Sequence, residues 1–148
     1  MELQHYTNLL AAIGCRRSAT AGRIGWEQEI QVDARRIALW LIPARDGVDA
    51  RLMARTDVAR LDAPASPALC RQLLRANAFW SGIHGGAIGL RGPDTVMLSV
   101  AQRLESLDAC GLQALLERMA EDARRWAATL HGRTPAAPKR APAHGLRA

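Results

Sequence analysis

Lysine is nearly absent from this chain. It occurs once, at Lys139, against 19 arginines. Such base usage marks a GC-rich genome as much as selection for charge. Cysteine is sparse too: Cys15, Cys70 and Cys110 are odd in number and widely spaced. No C-x-x-C pair exists, and no histidine stands at zinc-ligand spacing, so a disulfide framework and a zinc site are not expected. The thiols read as small hydrophobes in a reduced, cytoplasmic protein. Long apolar runs are missing. The longest, residues 37–42, is far short of the roughly 20 residues that span a bilayer. A secretory leader is not expected either, since the segment before Cys15 carries Glu2 and no basic residue.

The signatures of catalysis are also missing. Gly82, Gly85, Gly86 and Gly89 do not make a Gly-x-Gly-x-x-Gly, no Gly-Lys-Ser or Gly-Lys-Thr occurs, and the loop leads into a strand. No Gly-x-Ser-x-Gly elbow is present. His5, His84, His131 and His144 are isolated, and Glu27 and Glu29 share a strand face without a third group. The expectation is a non-enzyme, with no catalytic residue, metal, cofactor or small-molecule substrate.

What is present is a soluble globular balance, 49% apolar and 23% charged, with 148 residues for one core. The net charge of +6 is uneven. Arg133, Lys139, Arg140 and Arg147 lie after residue 130 with no acid among them, leaving 16 bases against 14 acids before it. Pro135, Pro138 and Pro142 forbid a helix in that stretch, and little there is apolar. Residues 1–130 are therefore expected to form one domain, and residues 131–148 a disordered basic tail.

Along the domain, Leu3, Tyr6, Leu9, Leu10 and Ile13 recur at helical spacing over residues 2–13. A polar link with Arg16, Arg17 and Arg23 follows. In residues 26–33, Trp26, Ile30 and Val32 alternate with Glu27, Glu29 and Gln31, the pattern of a half-buried strand. Residues 37–42 are apolar on both faces and should be central. Arg45-Asp46-Gly47 has hairpin-turn chemistry, and residues 48–58 alternate again. Ser66 caps a helix over residues 67–78, with Pro67 in its first turn and Leu69, Leu73 and Leu74 on one face. Strands over residues 87–90 and 95–102 are joined by a short link. Asp108 caps a last helix whose apolar positions are Leu112, Leu116, Met119, Ala123, Trp126 and Leu130. Glu121 and Asp122 can pair with Arg125 on its outer face. The order α-β-β-β-α-β-β-α, with short links, predicts an α+β fold of three helices on a mainly antiparallel twisted sheet.

The central stretch LLRANAFWSGIHGGAIGLRGPDTVMLS resembles the corresponding segment of the Tir-chaperone-like family, the class I chaperones of bacterial type III secretion. It has the Leu-Leu-x-x-Asn run ending at Asn77, a Gly-Gly turn and a Gly-Leu strand. Leu107-Asp108 opens a closing helix that holds Ala123-Arg124-Arg125-Trp126. The resemblance covers residues 69–130 well and the first 60 in outline, and the basic balance departs from the commonly acidic family. It implies a cytoplasmic homodimer that holds the N-terminal segment of a secreted effector in an export-competent form. It also places the two-fold contact on the helix over residues 67–78 and the strand after it.

Site residues follow as expectations. A short helix beside an edge strand can form an apolar groove, so Leu3, Tyr6, Leu10, Trp26 and Ile30 are candidates for effector contact, rimmed by Arg16, Arg17 and Arg23. Leu69, Leu73, Phe79 and Trp80 are candidates for the dimer interface. Filling of the monomer core is the alternative role for Leu10, Ile30, Phe79 and Trp80. The basic tail is a candidate contact for an acidic surface such as a membrane or a component of the export gate. A small basic nucleic-acid-binding protein is the alternative function. It is disfavoured because the aromatic residues lie at core positions and not among the basic ones.

Overall fold

The structure is a computed structural model of the chain and describes residues 1–15, 20–23, 25–78 and 85–132. Helix α1 spans Glu2–Ala12. Strands β1 (Thr20–Ala21), β2 (Trp26–Val32), β3 (Arg35–Ile42) and β4 (Arg51–Arg60) follow. Helix α2 is Pro67–Asn77, β5 is Ala87–Arg91, β6 is Thr95–Arg103, and α3 is Ala109–Leu130. The order helix, strands, helix, strands, helix is the expected one. The strands make one antiparallel sheet in the order β1-β2-β3-β4-β6-β5, so β3 is interior, as its apolar run requires.

Local chemistry explains the boundaries. The Ser66 hydroxyl accepts from Leu69 N–H at 3.2 Å, and Pro67 takes the first turn of α2, where no N–H is needed. The Asp108 carboxylate accepts from Gly111 N–H at 2.6 Å and starts α3. Asp46 and Gly47 both have positive φ, 51° and 78°, which the tight turn between Arg45 and Val48 demands. That turn closes only an isolated bridge, so β4 begins at Arg51 and not at Val48. β1 lies in the polar link that follows α1. It pairs Thr20 with Glu27 and Ala21 with Trp26. The chain passes close to β3 just before β2: a Cβ on Gly25 would stand 1.9 Å from the Leu41 carbonyl oxygen.

One face of the sheet carries the core. Ile37, Leu39, Leu41, Leu52, Val96 and Leu98 are buried in a single cluster with side chains from all three helices. Asp122 belongs to this side as well. It is 3% exposed and ion-paired with Arg125, not set on the outer face of α3 as expected. Glu121 pairs instead with Arg124, which also reaches Asp33. The opposite sheet face holds Trp40, buried to 6%, with the Arg55 guanidinium 4.8 Å above its ring.

Two side chains tie the sheet together where its ladder fails. β4 shifts register between Asp57 and Ala59. There Arg35 donates to the Asp57 and Val58 carbonyls at 3.0 and 3.4 Å, and to the Ala123 carbonyl of α3 at 3.3 Å. Burial and the nearby Arg124 charge lower the Arg35 pKa from its ordinary value. At the far end of the sheet the Asn77 side chain donates to the Ile88 carbonyl and accepts from the Ile88 N–H, both at 2.8 Å.

Candidate partner-binding groove

A groove of about 880 Å³ opens where the end of α1, strand β2 and helix α3 meet. The positions follow from local structure. Gly14, with φ +83°, turns the chain out of α1, so Ile13 and Cys15 hang over the sheet edge. The alternation of β2 places Ile30 and Val32 on the core side and Glu29 and Gln31 on the other. Leu116 of α3 completes an apolar floor, and Glu29, Arg36, Gln113 and Glu117 stand at the rim. Glu29 and Arg36 pair at 3.8 Å, both well exposed, so their link is a weak surface contact.

The outer edge of β2 runs beside the groove. β1 pairs with Trp26 and Glu27 alone. Among the described residues, no strand lies against the outer side of residues 28–32. An extended polypeptide can bond to such an edge through its main chain while alternate side chains enter an adjoining apolar floor.

The expected contact residues divide. Ile30 is half-buried and lines the groove, while Trp26 and Leu3 are half-buried at the margin of the core. Tyr6 and Leu10 are core, exposed by 0% and 2%. For Tyr6 this is a correction. A phenol's polar tip suits a half-wet site, but here the hydroxyl donates to the Leu39 carbonyl at 3.4 Å inside the fold. Burial, and then the proximity of Cys15 and Glu27, raises its pKa well above the ordinary tyrosine value. Arg23 is exposed, whereas Arg16 and Arg17 lie outside the described residues. Ile13, Val32 and Leu116 were not singled out for the groove. The helical and strand periodicities that named them as apolar could have found them.

The expected dimer residues divide too. Leu73 is 4% exposed inside the core, and Leu69 packs against it. The expected shared face with Leu74 is broken: Leu74, one residue and about 100° further around the helix, is 69% exposed. Phe79 and Trp80 lie outside the described residues, as do residues 133–148 of the basic tail.

Among the described residues, no cluster of three or more histidine, cysteine or acidic side chains is arranged to hold a metal. None of the described helices is long and apolar enough to cross a membrane. Several arginines are matched with acids, as in Arg60–Asp94, Arg91–Asp57 and Arg103–Asp49, which lowers their value as phosphate contacts. Trp26 and Trp126 are half-buried against the core and offer no stacking platform.

Comparison with known proteins agrees with the fold. The model of the Tir chaperone protein (CesT) family matches residues 32–127. No curated protein matches the chain. Among solved structures, a chain of the ExsC–ExsE complex superposes with a TM-score of 0.65 at 20% identity, over 86% of this chain and 92% of that one. A chain of the HopA1–SchA chaperone–effector complex gives 0.60 at 18% identity, over 84% and 94%. The complex of the Yersinia pestis type III secretion chaperone SycH with a stable fragment of YscM2 gives 0.59 at 17% identity, over 83% and 97%.

Proposed function

The chain belongs to the Tir chaperone protein (CesT) family, and on that premise we propose that it is a cytoplasmic, homodimeric secretion chaperone. It binds the N-terminal segment of a type III effector as an added strand on β2 and keeps that segment ready for export. The observation that carries the binding mode is the apolar floor of Ile13, Ile30, Val32 and Leu116 beside the outer edge of residues 28–32. A β-strand offers every second side chain to one face, so two or three client side chains reach this floor. Each contributes roughly 1.5–3 kcal/mol when fully buried, and the main-chain bonds add register. The exposed Leu74 of α2 is the anchor of the two-fold contact. No catalytic step is involved, and the basic tail serves as a separate contact for an acidic surface of the export gate.

The test is co-purification with the N-terminal segment of an effector encoded beside the chain. Ile30→Asp and Val32→Asp, each checked for folding by circular dichroism, should lower retention tenfold or more, because one lost apolar contact is worth about that factor. Removal of residues 133–148 should leave retention unchanged. Wild-type retention by both folded variants refutes the groove. Loss of binding on tail removal alone, or co-purifying nucleic acid that high salt strips away, gives the electrostatic alternative instead.

A further inference from the structure

The sheet has two edges, and they are treated differently. At the β5 edge, Ile88 is opposite Leu98 of β6. In an antiparallel ladder a residue turns both its main-chain groups to one side, and the next residue turns them to the other. Ile88 bonds Asn77 through both its N–H and its carbonyl. Those groups therefore point away from β6, toward the place a seventh strand would take. A carboxamide carries one acceptor oxygen and an N–H donor, the same pair as a peptide unit. Asn77 thus stands in for one residue of that missing strand. Without it, β5 would be a short apolar edge with Ile88 and Leu90 on one face, the kind of edge that templates pairing with another chain.

We propose that Asn77 is an edge lock, which by occupying Ile88 prevents β5 from pairing strand to strand with β5 of a second copy. Contacts between copies on this side then run through side chains of α2 and not through a continuous sheet. Strand addition is left to the β2 edge. Residue type matters at this position. Aspartate keeps an acceptor but loses the donor and sets a negative charge against the Ile88 carbonyl. Alanine and serine cannot reach both groups.

Two measurements on the full chain test this. The first is residue-resolved amide exchange in the wild type. The Ile88 amide should be protected at least tenfold over an exposed amide, although among the described residues no strand covers it. The second compares Asn77→Ala, Asn77→Ser and Asn77→Asp by light scattering over a concentration series. The alanine and serine variants should form species at least twice the wild-type mass at the same concentration. The aspartate variant frees only the Ile88 carbonyl, keeps an acceptor for the Ile88 N–H and places like charges on both copies across the edge, so its mass should stay at the wild-type value. An unprotected Ile88 amide in the wild type overturns the proposal without any variant. So does a folded alanine or serine variant whose Ile88 amide is released while its mass is unchanged. Equal growth of all three variants also overturns it, because lowered stability and not edge pairing would then explain the association.

Discussion

Leu73 and Leu74 are neighbours in sequence and should behave oppositely when cut back to alanine. Leu73 is 4% exposed in the core cluster, so Leu73→Ala loses nearly the whole transfer energy and leaves a cavity. The cost should be about 2–4 kcal/mol. Leu74 is 69% exposed, so only about a third of its ~1.5–3 kcal/mol of burial is at stake in the monomer. The better helix propensity of alanine offsets a little of that. Monomer stability should therefore fall by less than about 1 kcal/mol. In a symmetric dimer Leu74 counts twice, once from each copy. The two-thirds still exposed is worth about 1–2 kcal/mol per copy, so losing both contacts costs roughly 2–4 kcal/mol of association, a factor of about 30–10³ in the dissociation constant. Denaturant melts in the dilute, monomeric range report the first quantity, and light scattering over a concentration series reports the second. The reasoning fails if Leu73→Ala is as mild as Leu74→Ala in the melts. It also fails if Leu74→Ala leaves the dissociation constant unchanged.

Two other variants probe single features of the fold. Tyr6→Phe removes the buried hydroxyl bonded to Leu39 and should cost on the order of 1 kcal/mol at neutral pH. Since burial raises the folded-state pKa, the contribution of Tyr6 is complete below the ordinary value of 10.0 and is lost as pH rises above it. Alkaline melts of the phenylalanine variant should thus fall less steeply than those of the wild type, and equal slopes would count against the assignment. Gly25→Ala places a methyl group 1.9 Å from the Leu41 carbonyl oxygen, so β2 or β3 must shift. A loss above 1 kcal/mol is expected in a denaturant melt, and a wild-type midpoint would show that the approach is not this close.

The legible parts of this chain were those with a local cause. Helices α2 and α3 start where Ser66 and Asp108 cap them, and β3 is interior because both its faces are apolar. What periodicity did not reveal was set by distant partners. The two residues of β1 carry no pattern and owe their state to β2. Tyr6 looked like a groove residue until the Leu39 carbonyl, 33 positions away, received its hydroxyl. Asp122 sits at a position the charge pattern placed outside, yet the arginine beside it permits burial. Asn77 stood out as a motif letter, but its work is done on Ile88, 11 positions further on, a partner that no propensity names. Ile30 was legible in the groove because strand alternation puts it there.

The three carbonyls held by Arg35 have a kinetic meaning. They lie 22, 23 and 88 residues further along the chain, on β4 and in the middle of α3. No encounter of neighbouring segments can form this set. It completes only when β3, the β4 bulge and α3 are all docked, so it is expected to form late in folding. Interactions absent from the transition state slow unfolding and leave the folding rate nearly unchanged. Arg35→Ala is therefore expected to speed unfolding more than it slows folding, a split that stopped-flow kinetics reads and that equal changes in both rates would refute.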